Sequence, residues 1–390
     1  MSKELGEPEW LLSWREAQYA YANTLVQKEH YGIGITALES AEPSDYASQA
    51  EYHVDASKGL ELYTWKEAIG QEEITPFLER LMTSELMPPA RSREAGLGRA
   101  QFHNGLVVYV QPTLDDDGTP KEETLDLSTT LALGSSSDMV FVIAKEGSRL
   151  KLTSTIQEGE ASSVFARTLV VLCETGSRVD VVSLTTPTTR GFATIENIAL
   201  TPAHASCNWH EDPRSAMRYR SHTSSILLGE GATSEIVHTL LASGAASYDV
   251  YAEAIHRASE TRSRVYALGL GADTSKIVYR GNIDMKKGLH TVDGSQEGKF
   301  LILSKTAEVD AIPILDIASK DVISSHKLSV SHIRDIDLFY AKTRGIGEDE
   351  AREIALEGFF GSLLHHMKKD TLMEELRGRI SALAAITPQV

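Results

Sequence analysis

The sequence MVFVIAKEGSRLKLTSTIQEGEASSVFARTLVVLCETGSRVDVVSLT, residues 139–185, contains one short unit twice. Gly-Ser-Arg-Leu-Lys-Leu begins at Gly147 and Gly-Ser-Arg-Val-Asp-Val begins at Gly176, so the two glycines lie 29 residues apart. In each copy a glycine turn leads into alternating apolar and polar residues, which is typical of a β-strand with one buried face. A turn and strand that recur at this interval indicate a solenoid, whose coils bury their inner faces by stacking on each other.

The same alternation of strand-like segments and turns continues on both sides of these two units. From about residue 100 onward, short segments rich in Val, Ile, Leu and Thr alternate with turns of Gly, Ser, Asn and Asp. Looser echoes of the glycine turn occur at Gly231-Ala232-Thr233 and Gly271-Ala272-Asp273. An antiparallel β-sandwich would produce a similar alternation, so the strand pattern alone leaves both architectures open.

Helical patterns flank the β region. Residues 7–30 and 64–87 carry apolar side chains at helical spacing, and helices are also predicted over 348–367 and from residue 371 to about 383. Helices at both ends would cover the edge strands of a solenoid, which otherwise invite aggregation. The sequence therefore predicts three regions: an N-terminal helical region over 1–99, a β-helix core over 100–335, and a C-terminal helical region over 336–390.

The composition excludes several classes of protein. With only Cys173 and Cys207, the chain has neither a disulfide framework nor the four cysteines that a cluster held by one chain needs. A net charge of −17 without any Lys/Arg run argues against a nucleic-acid partner. No apolar run approaches the ~20 residues of a membrane helix, and no signal-peptide core follows Met1. We therefore expect a cytoplasmic protein with no membrane partner.

A second informative stretch is LSKTAEVDAIPILDIASKDVISSHKLSVSHIRDIDLFYAKTRGIGEDEAREIALEGFF, residues 303–360. A strand-like segment with Pro313 at its centre precedes a Ser-Ser-His turn at His326. A short strand, Asp-Leu-Phe-Tyr, Arg-Gly-Ile-Gly and an acidic helix start follow. This order resembles the SufB/SufD family, the scaffold proteins of the SUF iron–sulfur cluster assembly system. The string EPEWLLSWR at 7–15 is also similar to the N-terminal start of these chains.

The resemblance implies a right-handed parallel β-helix (solenoid) core between N- and C-terminal α-helical regions, and it favours the SufD side of the family. SufB chains carry a sulfur-accepting cysteine near the position of Gly298, whereas no cysteine follows Cys207 here. They also have a glutamate directly after the histidine that matches His326, where this chain has Lys327. These two absences argue against a sulfur-accepting SufB role.

A SufD-like scaffold subunit is the function that the resemblance implies, and such a chain is not itself an enzyme. It would pair with SufB as a heterodimer, or with itself as a homodimer, and would dock SufC-type ATPases through its C-terminal helices. ATP-driven dimerisation of the ATPases would then move the scaffold pair and expose a nascent cluster. No cofactor would be bound stably, and an iron–sulfur cluster would be shared transiently with SufB.

His326 is the candidate cluster ligand at that interface, because the matching SufD histidine is a proposed ligand and a neutral imidazole can bind iron. Matching chains often have Cys-Ser-His here, whereas this chain has Ser324 in place of the cysteine, and a hydroxyl suits such clusters poorly. The alternative is a histidine hydrogen-bonded in a β-turn. The candidate partner-docking residues, whose alternative role is packing at a strand–helix junction, are Phe339, Tyr340, Arg344, Gly345 and Ile346.

Other interpretations remain at this stage. His204, Cys207 and His210 are potential soft ligands, but their spacing fits no standard zinc site, so we interpret them as strand and turn residues. Within the family, the chain could be a SufB-type or homodimeric minimal scaffold. Outside the family, a β-helix carbohydrate-active enzyme would need clustered carboxylates and aromatic sugar platforms, and no such cluster is evident.

Overall fold

The computed structural model describes residues 7–25, 50–131, 134–158, 163–185, 191–214, 218–332 and 335–347, together with 350–351, 354, 356, 358–359 and 378–379. The helices in these ranges are α1 Glu9–Thr24, α2 Trp65–Ala68, α3 Thr75–Thr83, α4 Arg93–Gln101 and α5 Asp335–Thr343. The strands are β1 Ala50–Ala56, β2 Leu60–Thr64, β3 Asn104–Val110, β4 Glu122–Leu131, β5 Gly134–Ala144, β6 Arg149–Glu158, β7 Ser163–Cys173, β8 Arg178–Thr185, β9 Phe192–Thr201, β10 Ser206–Pro213, β11 Arg218–Leu227, β12 Thr233–Ala242, β13 Ser247–His256, β14 Arg262–Gly271, β15 Lys276–Met285, β16 His290–Ile302, β17 Glu308–Ile317 and β18 Asp321–His332.

The strands form two nine-stranded sheets, which we call sheet A (β1 and the even-numbered strands from β4 to β18) and sheet B (β2 and the odd-numbered strands from β3 to β17). From β3 onward the chain alternates between the sheets, and each new strand pairs in parallel with the strand of the preceding coil. About seven turns of a β-solenoid result. The predicted parallel β-helix is therefore confirmed over the antiparallel sandwich.

The repeated glycine units form the turn that carries the chain from sheet B to sheet A. Gly147 and Gly176 have φ angles of +71° and +69°, a left-handed conformation that costs glycine little. His204, Gly231 and Glu260 adopt the same conformation in the following coils. The looser echo at Gly231 is thus a true copy of the turn. By contrast, Gly271 ends β14, and the left-handed residue nearby is Asp273.

Alternation along each strand places apolar side chains between the two sheets. Because side chains on successive residues point to opposite faces, every second residue of a coil enters this interior. Burial of each large apolar side chain contributes about 1.5–3 kcal/mol before entropy is counted. The fully buried members of this core include Val142, Leu152, Val171, Val181, Ile195, Ile236, Val250, Val265, Ile277 and Phe300.

The N-terminal segment covers the outer face of sheet B. Trp65 contacts the rings of Phe102 and Phe141, at centroid distances of 5.0 Å and 5.6 Å. Arg99 of α4 donates to Glu196 of β9 at 2.9 Å, and both side chains are buried. Helices α1 to α4 therefore form a lid that is tied to the solenoid by apolar contacts and by a buried ion pair.

Two expectations for residues 1–99 need correction. The region is not purely helical, because β1 and β2 end the two sheets by pairing antiparallel with β4 and β3. The helix expected over 64–87 is broken into α2 and α3. Thr64 and Glu67 form a capping box that starts α2, and Pro76 lies in the first turn of α3, the one helical position where its missing N–H does no harm.

The C-terminal helices expected over 348–367 and 371–383 lie mostly outside the described residues. Two of the described residues in these ranges contact sheet A. The Phe359 carbonyl accepts a hydrogen bond from Lys299 of β16 at 3.2 Å, and Arg379 donates to Asp212 of β10 at 2.5 Å. Residues 359 and 379 therefore lie against the outer face of sheet A. Across the described ranges, no helix is both long and apolar enough to cross a membrane.

Two buried titratable groups both have a lowered pKa. Burial alone would raise the pKa of Glu253, but His222 at 3.0 Å, Arg91 and Ser224 outweigh burial and lower it to about 2. Burial lowers the pKa of His256 to about 4, and its ring nitrogens bond the hydroxyls of Thr261 and Ser263. Glu253 is thus charged and His256 neutral at neutral pH.

We expect acid to destabilise the protein in two steps. Between pH 6.5 and about 4 the unfolded chain protonates His256 but the native state does not, so about 3 kcal/mol of stability is lost. Below pH 4.5 the unfolded chain protonates Glu253 before the native state does, so a similar amount of stability is lost as the pH falls toward 2. Urea unfolding across this pH range measures both losses. His256→Gln should flatten the upper step, and an unchanged slope in that variant would contradict the assignment.

Candidate functional site at the open end of the β-helix

The last strands of the two sheets lie together at the C-terminal end of the β-helix. β17 is the last strand of sheet B and β18 the last strand of sheet A. Within the described part of the chain, no strand pairs with the outer edge of either. Such an edge presents a row of unpaired backbone N–H and C=O groups, which is a template for another strand. Pro313 lies in β17, and proline is tolerated in a sheet mainly at such an edge.

The inward-facing side chains of these two strands form an apolar strip around a polar centre. Val330, opposite Phe300 in the parallel register, is 42% exposed because no further coil covers it. His326 lies opposite the buried Gln296 and is exposed for the same reason. We call this surface the open end; its inward-facing residues are Val309, Ala311, Pro313, Leu315, Ser324, His326, Leu328 and Val330.

The structure corrects the sequence interpretation of His326. The residue lies inside one continuous strand, β18, and not in a Ser-Ser-His turn between two strands. The alternative of a histidine hydrogen-bonded in a β-turn is therefore wrong. Two residues earlier, Ser324 lies on the same face, and its hydroxyl oxygen is buried without a hydrogen-bond partner among the described residues. The imidazole is available for an incoming group at this end of the solenoid.

The donor set at the open end is one imidazole with oxygen atoms beside it. Gln296 donates through Nε2 to the Ile314 carbonyl at 3.0 Å, and its Oε1 has no partner in the described ranges. Iron–sulfur clusters prefer thiolate ligands. An iron–sulfur cluster bound here would therefore draw its thiolates from another molecule.

Gly298, near which the resemblance places the cysteine of SufB chains, lies in β16 opposite Leu328. A Cβ atom at Gly298 would lie 2.2 Å from Leu328 Cδ2 and 3.0 Å from Phe300 Cε2. A side chain there would require the end of the partly exposed Leu328 side chain to move.

The partner-docking candidates lie on α5 and on the turn that follows it. Phe339 and Tyr340 are 62% and 60% exposed, so they do not pack into a strand–helix junction. Arg344 donates to the Tyr340 hydroxyl at 3.0 Å and lies over its ring. Gly345 has a φ of +81° and ends the helix, and Ile346 N bonds the Ala341 carbonyl. Two adjacent exposed aromatics mark a candidate interaction surface.

The soft ligands near residue 207 do not converge. His204 occupies a turn, Cys207 faces the β-helix interior, and His210 on the outer face of β10 bonds Thr239 at 3.1 Å. The expectation that they are turn and strand residues agrees with this placement. Among the ranges that the structure describes, no group of three His, Cys, Asp or Glu side chains could hold a metal ion.

Sequence reasoning missed a polar cluster inside the β-helix. Glu211 on β10 and His238 on β12 are neighbours in register, both face inward, and their side chains approach to 3.2 Å. The signal was present, because the period-2 pattern places Glu211 on the same face as Cys207 and Trp209. An inward charge is rare enough that this position could have been identified from the strand pattern.

The chain is similar in sequence to known proteins. Residues 128–359, from β4 to beyond α5, match the sequence profile of the SUF system FeS cluster assembly, SufBD core domain. An iron–sulfur cluster assembly SufBD family protein of Staphylococcus saprophyticus is 23% identical over 278 residues, covering 71% of this chain and 59% of the relative. One from Staphylococcus epidermidis is 23% identical over 338 residues, covering 85% and 70%. The chain thus spans just under three fifths of the length of the first relative.

Proposed function

The chain belongs to the SufB/SufD family of the SUF iron–sulfur cluster assembly system, and from that premise we propose that it is a SufD-like scaffold subunit. The observation that carries the proposal is the open end, where two sheet edges, an apolar strip and the exposed His326 lie together. A scaffold that pairs with a second chain needs a surface of this kind. The chain would catalyse no reaction by itself.

The partner that fits the open end is a SufB-type chain. An incoming edge strand can bond the free backbone groups of β17 or β18, while its apolar side chains cover Val330 and its neighbours. A β-helix of the same family offers both features. The heterodimer is preferred to a homodimer because two copies of this chain would bring no thiolate to the interface from beyond residue 207.

His326 is the proposed ligand that this chain contributes to a nascent cluster, which is the cargo of the assembly. Its imidazole is exposed at the open end, and Ser324 beside it supplies no thiolate. The cysteines would come from the SufB-type partner. No cysteine lies near Gly298, where a SufB chain would have its sulfur-accepting cysteine, and Lys327 stands where such a chain would have a glutamate; both differences support the SufD assignment.

The proposed docking surface for SufC-type ATPases is the exposed pair Phe339 and Tyr340 on α5. The helix begins three residues after the end of β18. A displacement of α5 would therefore be transmitted along the chain to the strand that carries His326. ATP-driven dimerisation of two ATPases, one on each scaffold chain, would shift the scaffold pair and open the interface to incoming iron and sulfur. The cytoplasmic location stays a prediction.

Capture of the ATPase tests the proposal. We expect Phe339→Ala/Tyr340→Ala to lower the amount of SufC-type ATPase that co-purifies by at least about tenfold, because exposed aromatic anchors dominate such interfaces. Point variants are preferable to removing residues 346–390, since Phe359 and Arg379 contact sheet A.

A matched control is Tyr19→Ala/Tyr21→Ala, which removes two partly exposed aromatics from α1. It should leave ATPase capture unchanged. If the wild-type chain captures neither the ATPase nor a SufB-type chain from its own source, the proposed function is wrong. If the two double variants behave alike, docking lies elsewhere on the surface.

A further inference from the structure

The β-helix interior is polar in its middle coils. Five inward-facing side chains meet there from four consecutive strands, β9 to β12, and each is at most 2% exposed: Asn197, Glu211, Ser221, Thr223 and His238. In the next coils toward the C-terminus, the corresponding inward positions are Val250, Ala252 and Ala267. Burying polar groups costs free energy unless each group has a hydrogen-bond partner. The hydrogen bonds of these groups therefore show whether the cluster is complete by itself or needs a further partner.

Glu211 accepts three hydrogen bonds at the centre of this cluster. Its Oε2 accepts from Asn197 Nδ2 at 2.8 Å and from Thr223 Oγ1 at 3.1 Å, while Oε1 accepts from Ser221 and faces His238 Nε2 at 3.2 Å. Burial alone would raise the pKa of Glu211, but His238 and the hydroxyl donors outweigh burial and lower it. A charged carboxylate therefore organises the cluster.

Around this carboxylate lie polar atoms that are not satisfied. Within the described part of the chain, six of them are buried without a hydrogen-bond partner: Asn197 Oδ1, Tyr219 Oη, Trp209 Nε1, Thr185 Oγ1 and both ring nitrogens of His238. Each unmade bond of this kind costs about 1–3 kcal/mol, and native proteins leave few of them. Both donors and acceptors are present, so one species that both donates and accepts can serve them all.

The interior around these atoms is not filled by large side chains from the next strands. In register, Thr223 is followed by Ala252 in sheet B, and His238 is followed by Ala267 in sheet A. The ring of Tyr279, centred 5.9 Å from that of His238, closes the far side. A polar, enclosed site of this kind is where proteins hold buried water, which makes about three hydrogen bonds per molecule.

We propose that the middle of the β-helix contains a water-binding chamber, in which ordered water bridges Tyr219 Oη, Asn197 Oδ1 and the other unpartnered atoms around Glu211. The chamber is distinct from the open end, and the proposal does not depend on the scaffold function. Water is favoured over a cation because Asn197, Thr223 and Ser221 already donate hydrogen bonds to the carboxylate oxygens of Glu211.

The thermal stability of Tyr219→Phe in the full-length chain tests the chamber by the sign of its effect. If water bridges the hydroxyl, removing the hydroxyl loses a satisfied hydrogen bond, and we expect Tm to fall by about 2–4 °C. If the site is dry, the same change removes an unsatisfied buried group, and Tm stays the same or rises. A crystal structure of the wild-type chain should show water density within hydrogen-bond distance of Tyr219 Oη and Asn197 Oδ1.

The control is Tyr248→Phe, in the neighbouring position of the next coil. Tyr248 Oη donates to backbone carbonyls, with Pro213 O at 3.2 Å and Leu241 O at 3.4 Å, so its removal should lower Tm in either case. This variant calibrates the loss of one buried tyrosine hydroxyl. An unchanged or raised Tm for Tyr219→Phe, or an interior without water density, overturns the proposal.

Discussion

Replacing Arg167 by methionine is expected to lower the free energy of unfolding by about 3–5 kcal/mol. Arg167 lies inside the N-terminal coils and forms a bidentate ion pair with Asp138. It also donates hydrogen bonds to Ser154 at 2.9 Å and to Thr129 at 2.7 Å. Methionine keeps most of the volume but leaves Asp138 as an uncompensated buried charge. Urea unfolding measured by far-ultraviolet circular dichroism gives the loss.

Two comparisons separate the buried charge from the lost packing. Arg167→Met/Asp138→Asn removes both charges, so it should recover most of the stability that the single variant loses. Arg178→Ala breaks an ion pair with Asp180 on the outer face, where Arg178 is 54% exposed, and should cost no more than about 1 kcal/mol. If the single variant at 167 costs no more than the one at 178, the buried pair is not a determinant of stability.

Replacing Val330 by arginine is expected to weaken pairing with a SufB-type chain by about 100-fold or more. Val330 belongs to the apolar strip of the open end, and an arginine there would place an unpaired charge in the covered part of the proposed interface. Because Val330 is partly exposed in the single chain, the variant should fold normally. Analytical size exclusion and titration calorimetry with the purified partner measure the effect.

Ile323→Arg is the matched control, because Ile323 is 70% exposed on the same strand but lies opposite Asp293 on the outer face of sheet A. This variant should pair with near wild-type affinity. Strong disruption by the change at 323 with none at 330 would move the interface from the open end to the outer face. Self-association of the wild-type chain without a SufB-type partner would favour a homodimeric scaffold.

Local patterns were sufficient to predict the class of fold. The Gly147 and Gly176 units predicted a solenoid, since a left-handed turn followed by alternating residues recurs once per coil. The stretch from 303 to 360 indicated the family. The strand around Pro313 was also predicted correctly, from the alternation of its residues. The structure adds that this strand is an edge strand, where proline is tolerated.

Pairings between distant residues were the part that could not be predicted. Residues 50–64 carry no signal that they end the two sheets, because their partners lie in β3 and β4, more than 40 residues further along the chain. The sequence alone predicted that His326 lies in a turn, because Ser-Ser-His is typical of turns. The pairing of β16 with the whole of β18 cannot be seen in the sequence. Only that pairing makes the strand continuous and puts the imidazole at the open end.

By itself, the sequence indicated a solenoid through its repeated turn and strand, and a short, ordered set of motifs indicated the family, whose resemblance implies a parallel β-helix. The tertiary structure decided which side chains are exposed and which meet: His326, Phe339 and Tyr340 are exposed, and Glu211 meets His238 inside the solenoid. The physical reason is that burial and hydrogen bonding depend on stacking between coils, and each such contact joins residues that are nearly 30 or more positions apart in the chain.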